Sequence, residues 1–178
     1  MRKAIAILLV LMCSITIVYA QTVVHGKVYF TTSDLAAYSP GSALGHYVAI
    51  DGVVYDMTAV PAWSNGTHQG GEAGEDITTT IASAPHGKKV VANVPVKGYL
   101  VRTFTSTELA QYNGTKNMPR YLAVSGVVYD MTNVPAWRSG AHQGGKAGTD
   151  ITQRISTAPH GLNVLAKLPV VGFLITQR

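Results

Sequence analysis

Apolar and polar positions change rhythm along this chain, and the changes come twice. Two β-rich runs, YVAI at 47–50 and VVYD at 53–56, flank Asp51-Gly52 in the pattern of a tight hairpin, and YLAV with VVYD flank Ser125-Gly126 in the same way. Short extended pieces at Lys27-Val28-Tyr29-Phe30 and Arg102-Thr103-Phe104 precede helix starts at TTSDLAAY and TSTELAQY. There Thr32 and Ser106 are the expected N-caps, and Leu35 with Tyr38, or Leu109 with Tyr112, forms an apolar i, i+3 pair. Farther on, Asp76 and Asp150 are expected to cap short helices whose apolar sides are Ile77 and Ile81, or Ile151 and Ile155. Thr78-Thr79-Thr80 makes the first of these weak by propensity, so packing must hold it. Pro85 and Pro159 end the helices, because the residue before a proline is pushed out of helical geometry. An apolar tail follows (Val90, Val91 and Val94, or Val164, Leu165 and Leu168) and leads to extended ends near Pro95 and Pro169.

The doubling is a tandem repeat. A shift of 74 residues aligns Phe30 with Phe104, Tyr38 with Tyr112, Trp63 with Trp137 and Gly98 with Gly172 without a gap. The expected organisation is a signal peptide at 1–20 and two small domains at 27–98 and 102–178. The linker of about Tyr99 to Arg102 has no Pro, Gly or Ser run, so the units should sit close together. Short helices combined with hairpins and extended ends place each unit in the α+β class.

The N-terminus sets the compartment. Arg2 and Lys3 precede an apolar run from Ala4 to Val18 and the small-residue pattern Val18-Tyr19-Ala20, which reads as a secretory signal cleaved before Gln21. The rival is a retained anchor, since the run is near the lower length limit for a spanning helix. After cleavage no stable membrane insertion is expected, and the protein would be secreted or periplasmic. Cys13 is the only cysteine, so a mature chain has no disulfide, thiolate ligand or covalently attached haem.

Each repeat carries two histidines 18 positions apart, one beside a diglycine and one after Ala-Pro: His68 and His86, His142 and His160. That is the arrangement expected of two axial ligands on a flat, metal-centred cofactor, here two haem b groups per chain. Gly70-Gly71 and Gly144-Gly145 would let backbone approach a flat ring, and Ile77, Ile81, Ile151 and Ile155 are candidates for its walls. A zinc site is the rival metal reading, completed by Asp76 or Asp150, although zinc wants three or four protein ligands. Trp63, Trp137, Tyr55 and Tyr129 read as core.

These features together resemble the cytochrome b5-like haem/steroid-binding family. The order is Phe-x-x-x-Asp-Leu or Phe-x-x-x-Glu-Leu, an apolar hairpin with Tyr-Asp-Met-Thr, Trp, His-x-Gly-Gly, Ala-Gly-x-Asp-Ile-Thr and a second His, over both units. The resemblance implies short helices on a small mixed sheet with a haem pocket, and makes His68, His86, His142 and His160 iron ligands. The interval between ligands is like that of short prokaryotic members, and Gln69 and Gln143 stand where the larger proteins commonly have proline. Steroid-binding relatives resemble this fold but use tyrosine at the haem, so the histidine pairs point to one-electron transfer with protein redox partners. A haem- or sterol-binding carrier or sensor without redox turnover is the alternative, and a cofactor-free adhesion or partner-binding domain a third. No Ser-His-Asp order, phosphate loop or paired carboxylates support an enzyme.

Charge separates the units. The formal net charge is +5, yet 28–98 holds three basic against six acidic residues and 102–178 eight against three. Glu72 and Glu75 beside the first histidines face Lys146 and Thr149 beside the second. Negative charge stabilises ferric haem, so the first site is expected to have the lower reduction potential. The basic residues of the second half are scattered without a stacking motif, so no nucleic-acid partner is expected.

Overall fold

Runs of β-branched and aromatic residues form two mixed sheets, one per repeat, in a computed structural model that describes residues 21–159 and 161–175. In the first repeat the elements are β1 (Thr22–Val24), β2 (Lys27–Phe30), α1 (Thr32–Ala36), β3 (Tyr47–Ile50), β4 (Val53–Asp56), β5 (Thr67–His68), β6 (Gly71–Glu72), α2 (Thr78–Ser83) and β7 (Val96–Leu100). The second has β8 (Arg102–Phe104), α3 (Ser106–Ala110), β9 (Tyr121–Val124), β10 (Val127–Asp130), β11 (Ala141–His142), β12 (Gly145–Lys146), α4 (Thr152–Ser156) and β13 (Val170–Leu174). The sheet orders are β1-β2-β7-β4-β3 and β8-β13-β10-β9. The pairs β2/β7 and β8/β13 are parallel and the rest antiparallel, so the α+β class holds.

Both expected hairpins are present. Asp51-Gly52 (φ 50° and 76°) and Ser125-Gly126 (φ 50° and 80°) make the double left-handed turn that matches strand twist. The caps of α1 and α3 fall one residue earlier than expected, at Thr31 and Thr105, each closing a capping box with Asp34 or Glu108. An acid at the third helical position fixes the choice between adjacent Thr and Thr, or Thr and Ser. Asp76 and Asp150 are not the N-caps of α2 and α4; Ile77 and Ile151 hold that place. The Ile77 and Ile151 amides are bonded to the Ala49 and Ala123 carbonyls across the edge strand, so the helices begin only afterwards. Each aspartate instead accepts from the amide two residues on, Thr78 or Thr152.

Each sheet has a core on both faces. Phe30, Leu35 and Val54 pack with α1 on one side, and Val48, Met57, Trp63, Ile77 and Ile81 pack on the other. The second repeat copies this with Phe104, Leu109 and Val128, then Leu122, Met131, Trp137, Ile151 and Ile155. The aligned glycines allow close strand approach: a Cβ at Gly98 would strike the Val28 carbonyl, and one at Gly172 the Arg102 carbonyl and the Phe104 ring.

The first sheet is wider than 27–98. β1 is three residues of TVV, too short to show a strand period, and Tyr99 and Leu100, expected as linker, pair with Tyr29 and Phe30 instead. Only Val101 separates the two sheets, its amide bonded to the Phe30 carbonyl at 2.8 Å. The β1–β2 turn reaches the second repeat, where His25 Nε2 lies 3.3 Å from the Tyr129 hydroxyl. Tyr29 meets Phe173 edge-on at 6.4 Å.

Candidate functional site

The first site grows from a short 3-10 turn over Pro61–Trp63 that buries Trp63 beneath the β5–β6 hairpin. Gln69 and Gly70 form the turn of that hairpin with φ of 47° and 82°. A Cβ at Gly71 would come within 3.1 Å of the Trp63 ring, so glycine lets the hairpin close on the indole. This places the His68 ring 6.0 Å from Trp63 at one wall of a cavity. Another wall is α2, with Ile77 and Ile81 buried. Its end at Ala84 is extended (ψ 143°) ahead of Pro85, and the reversal brings His86 back over the cavity.

His68 and His86 face each other with ring centroids 6.2 Å apart and planes 17° from parallel. His86 Nδ1 is 3.0 Å from the Gly87 carbonyl. A carbonyl only accepts, so Nδ1 carries the proton and donates, which leaves the Nε2 lone pair for a metal. Between the rings lies a cavity of about 190 Å³ with walls that include Met57, Trp63, Ile77, Ile81, Val91 and Val94. Two metal–imidazole bonds of about 2 Å, plus about 1.1 Å from each nitrogen to its ring centroid, require a separation of about 6.2 Å. The observed separation matches that of two imidazoles sharing one ion, and the apolar walls fit a flat organic plate. Among the described residues no group of three His, Cys, Asp or Glu could hold a metal, and Asp76 is engaged with Thr78.

The second repeat builds a cavity of about 220 Å³ from Leu122, Met131, Trp137, Ile151, Ile155 and Leu165. His142 stands 5.9 Å from Trp137, as His68 does from Trp63. His160 lies outside the described residues.

No family model and no curated protein matches the chain. Solved structures do, among them two cytochrome b5 domain proteins. A cytochrome b5 domain protein of Methanococcoides burtonii is 44% identical, with 41% of this chain covering 96% of that one at a TM-score of 0.39. A cytochrome b5 domain protein of Hadesarchaea YNP_N21 is 45% identical, with 42% covering 100% at a TM-score of 0.41. Identity at that level over almost the whole of each relative decides the family. The chain belongs to the cytochrome b5 domain family.

Each of those relatives matches about two-fifths of this chain, which is compatible with a second copy in tandem. Of the expected site residues, His68, Gly71, Ile77, Ile81 and His86 line the first cavity, and His142, Gly145, Ile151 and Ile155 the second. Gly70 and Gly144 line neither; the left-handed hairpin turn explains them (φ 82° and 77°). Sequence reasoning missed Met57, Gln69 and Thr80, and their counterparts Met131, Gln143 and Arg154. Thr80 and Arg154 could have been found, since they sit three residues after Ile77 and Ile151 and share their helical face.

Proposed function

We propose that this protein is a secreted or periplasmic dihaem b-type cytochrome that passes single electrons between protein partners. The observation that carries the reading is the facing His68 and His86 rings, 6.2 Å apart across an apolar cavity. A haem held by His68 and His86 would supply a one-electron carrier. The chain's own part is to place and protect it. The Gly87 carbonyl fixes the His86 tautomer and ring orientation. Trp63, Ile77 and Ile81 exclude water from one wall, and Trp137, Ile151 and Ile155 do so in the second unit. In that unit His142 and His160 are the proposed ligands.

The export reading is supported by the apolar run behind Arg2 and Lys3, which lies outside the described residues. Among the described residues no helix is long and apolar enough to cross a membrane. The test is a reduced-minus-oxidised spectrum of the purified protein with haem stoichiometry. Sharp six-coordinate b-type bands at about two haems per chain are expected. His86→Ala should remove one of the two low-spin signals, leaving the other. Five-coordinate spectra with ready loss of haem to a scavenger would favour a carrier or sensor, and failure to take up haem would leave a binding module without a cofactor.

A further inference from the structure

The two cavities differ in one lining residue that carries charge. Arg154 lines the second, while at the aligned position Thr80 lines the first, and no Lys or Arg lines that one. Arg154 shares the face of α4 with Ile151 and Ile155, which are buried in the cavity wall. Its Nη1 lies 2.8 Å from where a Cβ of Gly144 would stand, so the guanidinium rests over the hairpin turn that follows His142. Among the described residues no carboxylate forms an ion pair with it. Asp150, the acid nearest in sequence, accepts from the Thr152 amide and hydroxyl. Lys146 on β12 adds a second positive charge to the same hairpin, where the first unit has Glu72.

A guanidinium with no ion-pair partner among the described residues, at the rim of an apolar cavity, favours a ligand that is apolar across its body and anionic at its edge. Covering the cavity removes part of the water around the cation, and a planar carboxylate matches its paired donors. We propose that Arg154 determines the specificity of the second pocket by binding an edge carboxylate of an acidic tetrapyrrole, a contact the first pocket lacks. This rests on the haem reading above. Arg154 is exposed, so the preference is modest: about fivefold in affinity for the acid over its neutral ester, in line with rim ion pairs.

The experiment uses two single-site proteins, His86→Ala to leave the second site and His142→Ala to leave the first. Each is titrated with haem and with haem dimethyl ester, following quenching of tryptophan fluorescence. The acid-to-ester affinity ratio should be about fivefold higher at the second site than at the first. Arg154→Thr should erase the excess, Arg154→Lys should keep part of it through charge alone, and Thr80→Arg should confer it on the first site. Equal ratios in all of these proteins, with haem bound normally, would overturn the role of Arg154 and leave the haem reading standing. Uptake of neither compound by any of them would overturn the haem reading and this proposal with it.

Discussion

The first repeat starts with a hairpin and the second does not, and one glycine explains it. His25-Gly26 takes left-handed geometry (φ 49° and 76°) and folds β1 back along β2. The aligned Tyr99-Leu100 has no glycine, so the chain runs straight from β7 towards β8. β8 is consequently the outer strand of its sheet, while β2 is covered by β1. The hairpin tip also changes the second unit, because His25 covers Tyr129, which is 3% exposed, whereas the aligned Tyr55 is half-buried. The two repeats share most of their cavity walls and differ in what surrounds them. The walls are fixed by packing, where a lost methylene is costly, and the rims by solvated side chains that change freely.

The strongest way to break the comparison is to empty one core at a time. Phe30→Ala and Phe104→Ala remove fully buried rings, and each should cost its own unit about 3–5 kcal/mol in urea unfolding followed by circular dichroism. The unsubstituted unit should keep its transition within about 0.5 kcal/mol, as expected for separated sites. A joint shift would mean that the His25–Tyr129 and Tyr29–Phe173 contacts make the repeats one cooperative body.

A smaller effect tests the charged rims. Spectroelectrochemistry should give a lower midpoint for the His142→Ala protein, which keeps the first site, than for His68→Ala, which keeps the second. Glu72→Lys with Glu75→Thr should raise the first midpoint by on the order of 30 mV, half of the 59 mV that marks a tenfold change for one electron. Indistinguishable midpoints would show that these exposed charges are screened out.

Smaller again is the bridge between units. Tyr129→Phe should destabilise the second unit by about 0.5–1 kcal/mol, while Tyr55→Phe, whose hydroxyl has no hydrogen-bond partner among the described residues, should be neutral in the first.

The smallest expected effect is an ion pair that only the first unit has. Lys97 Nζ is 3.1 Å from Asp56, and the position aligned with Lys97 is Val171. Burial raises the Asp56 pKa, but hydrogen bonds from Thr58 and Lys97 outweigh it and hold the carboxyl below its usual value. Lys97 is held above its usual value, chiefly by its hydrogen bond to Asp56. The carboxylate's contribution is therefore present above its unfolded value and lost as pH falls through the lowered one; the lysine's is present below its unfolded value and lost as pH rises through the raised one. Lys97→Val should cost under about 1 kcal/mol at pH 7 and nothing once acid has protonated Asp56, as read by thermal melts across pH.

The α+β class, both hairpins and the 74-residue repeat were legible because each is local: Asp51-Gly52 and Ser125-Gly126 write their turns directly. The caps slipped by one residue because Thr31 and Thr32 look alike until the Asp34 carboxylate chooses between them. The late starts of α2 and α4 were invisible because bonds to Ala49 and Ala123, distant in sequence, hold the amides of Ile77 and Ile151. His68 and His86 could be named from spacing, but their near-parallel planes depend on the Gln69-Gly70 turn, on Pro85 and on Trp63 together. Arg154 was legible only through its spacing of three from Ile151, because a single arginine on a short helix normally reads as solvated surface.

Val101 closes the first sheet by donating to the Phe30 carbonyl at 2.8 Å, and Ile175, 74 residues on, donates to the Phe104 carbonyl at the same distance. The bond that finishes one unit is thus the bond from which the next departs. Ile175 is a ready splice point: a third repeat fused there would enter with its backbone already aimed, as the second does after Val101. The spacing of the repeat is thus also the spacing of its closing bonds.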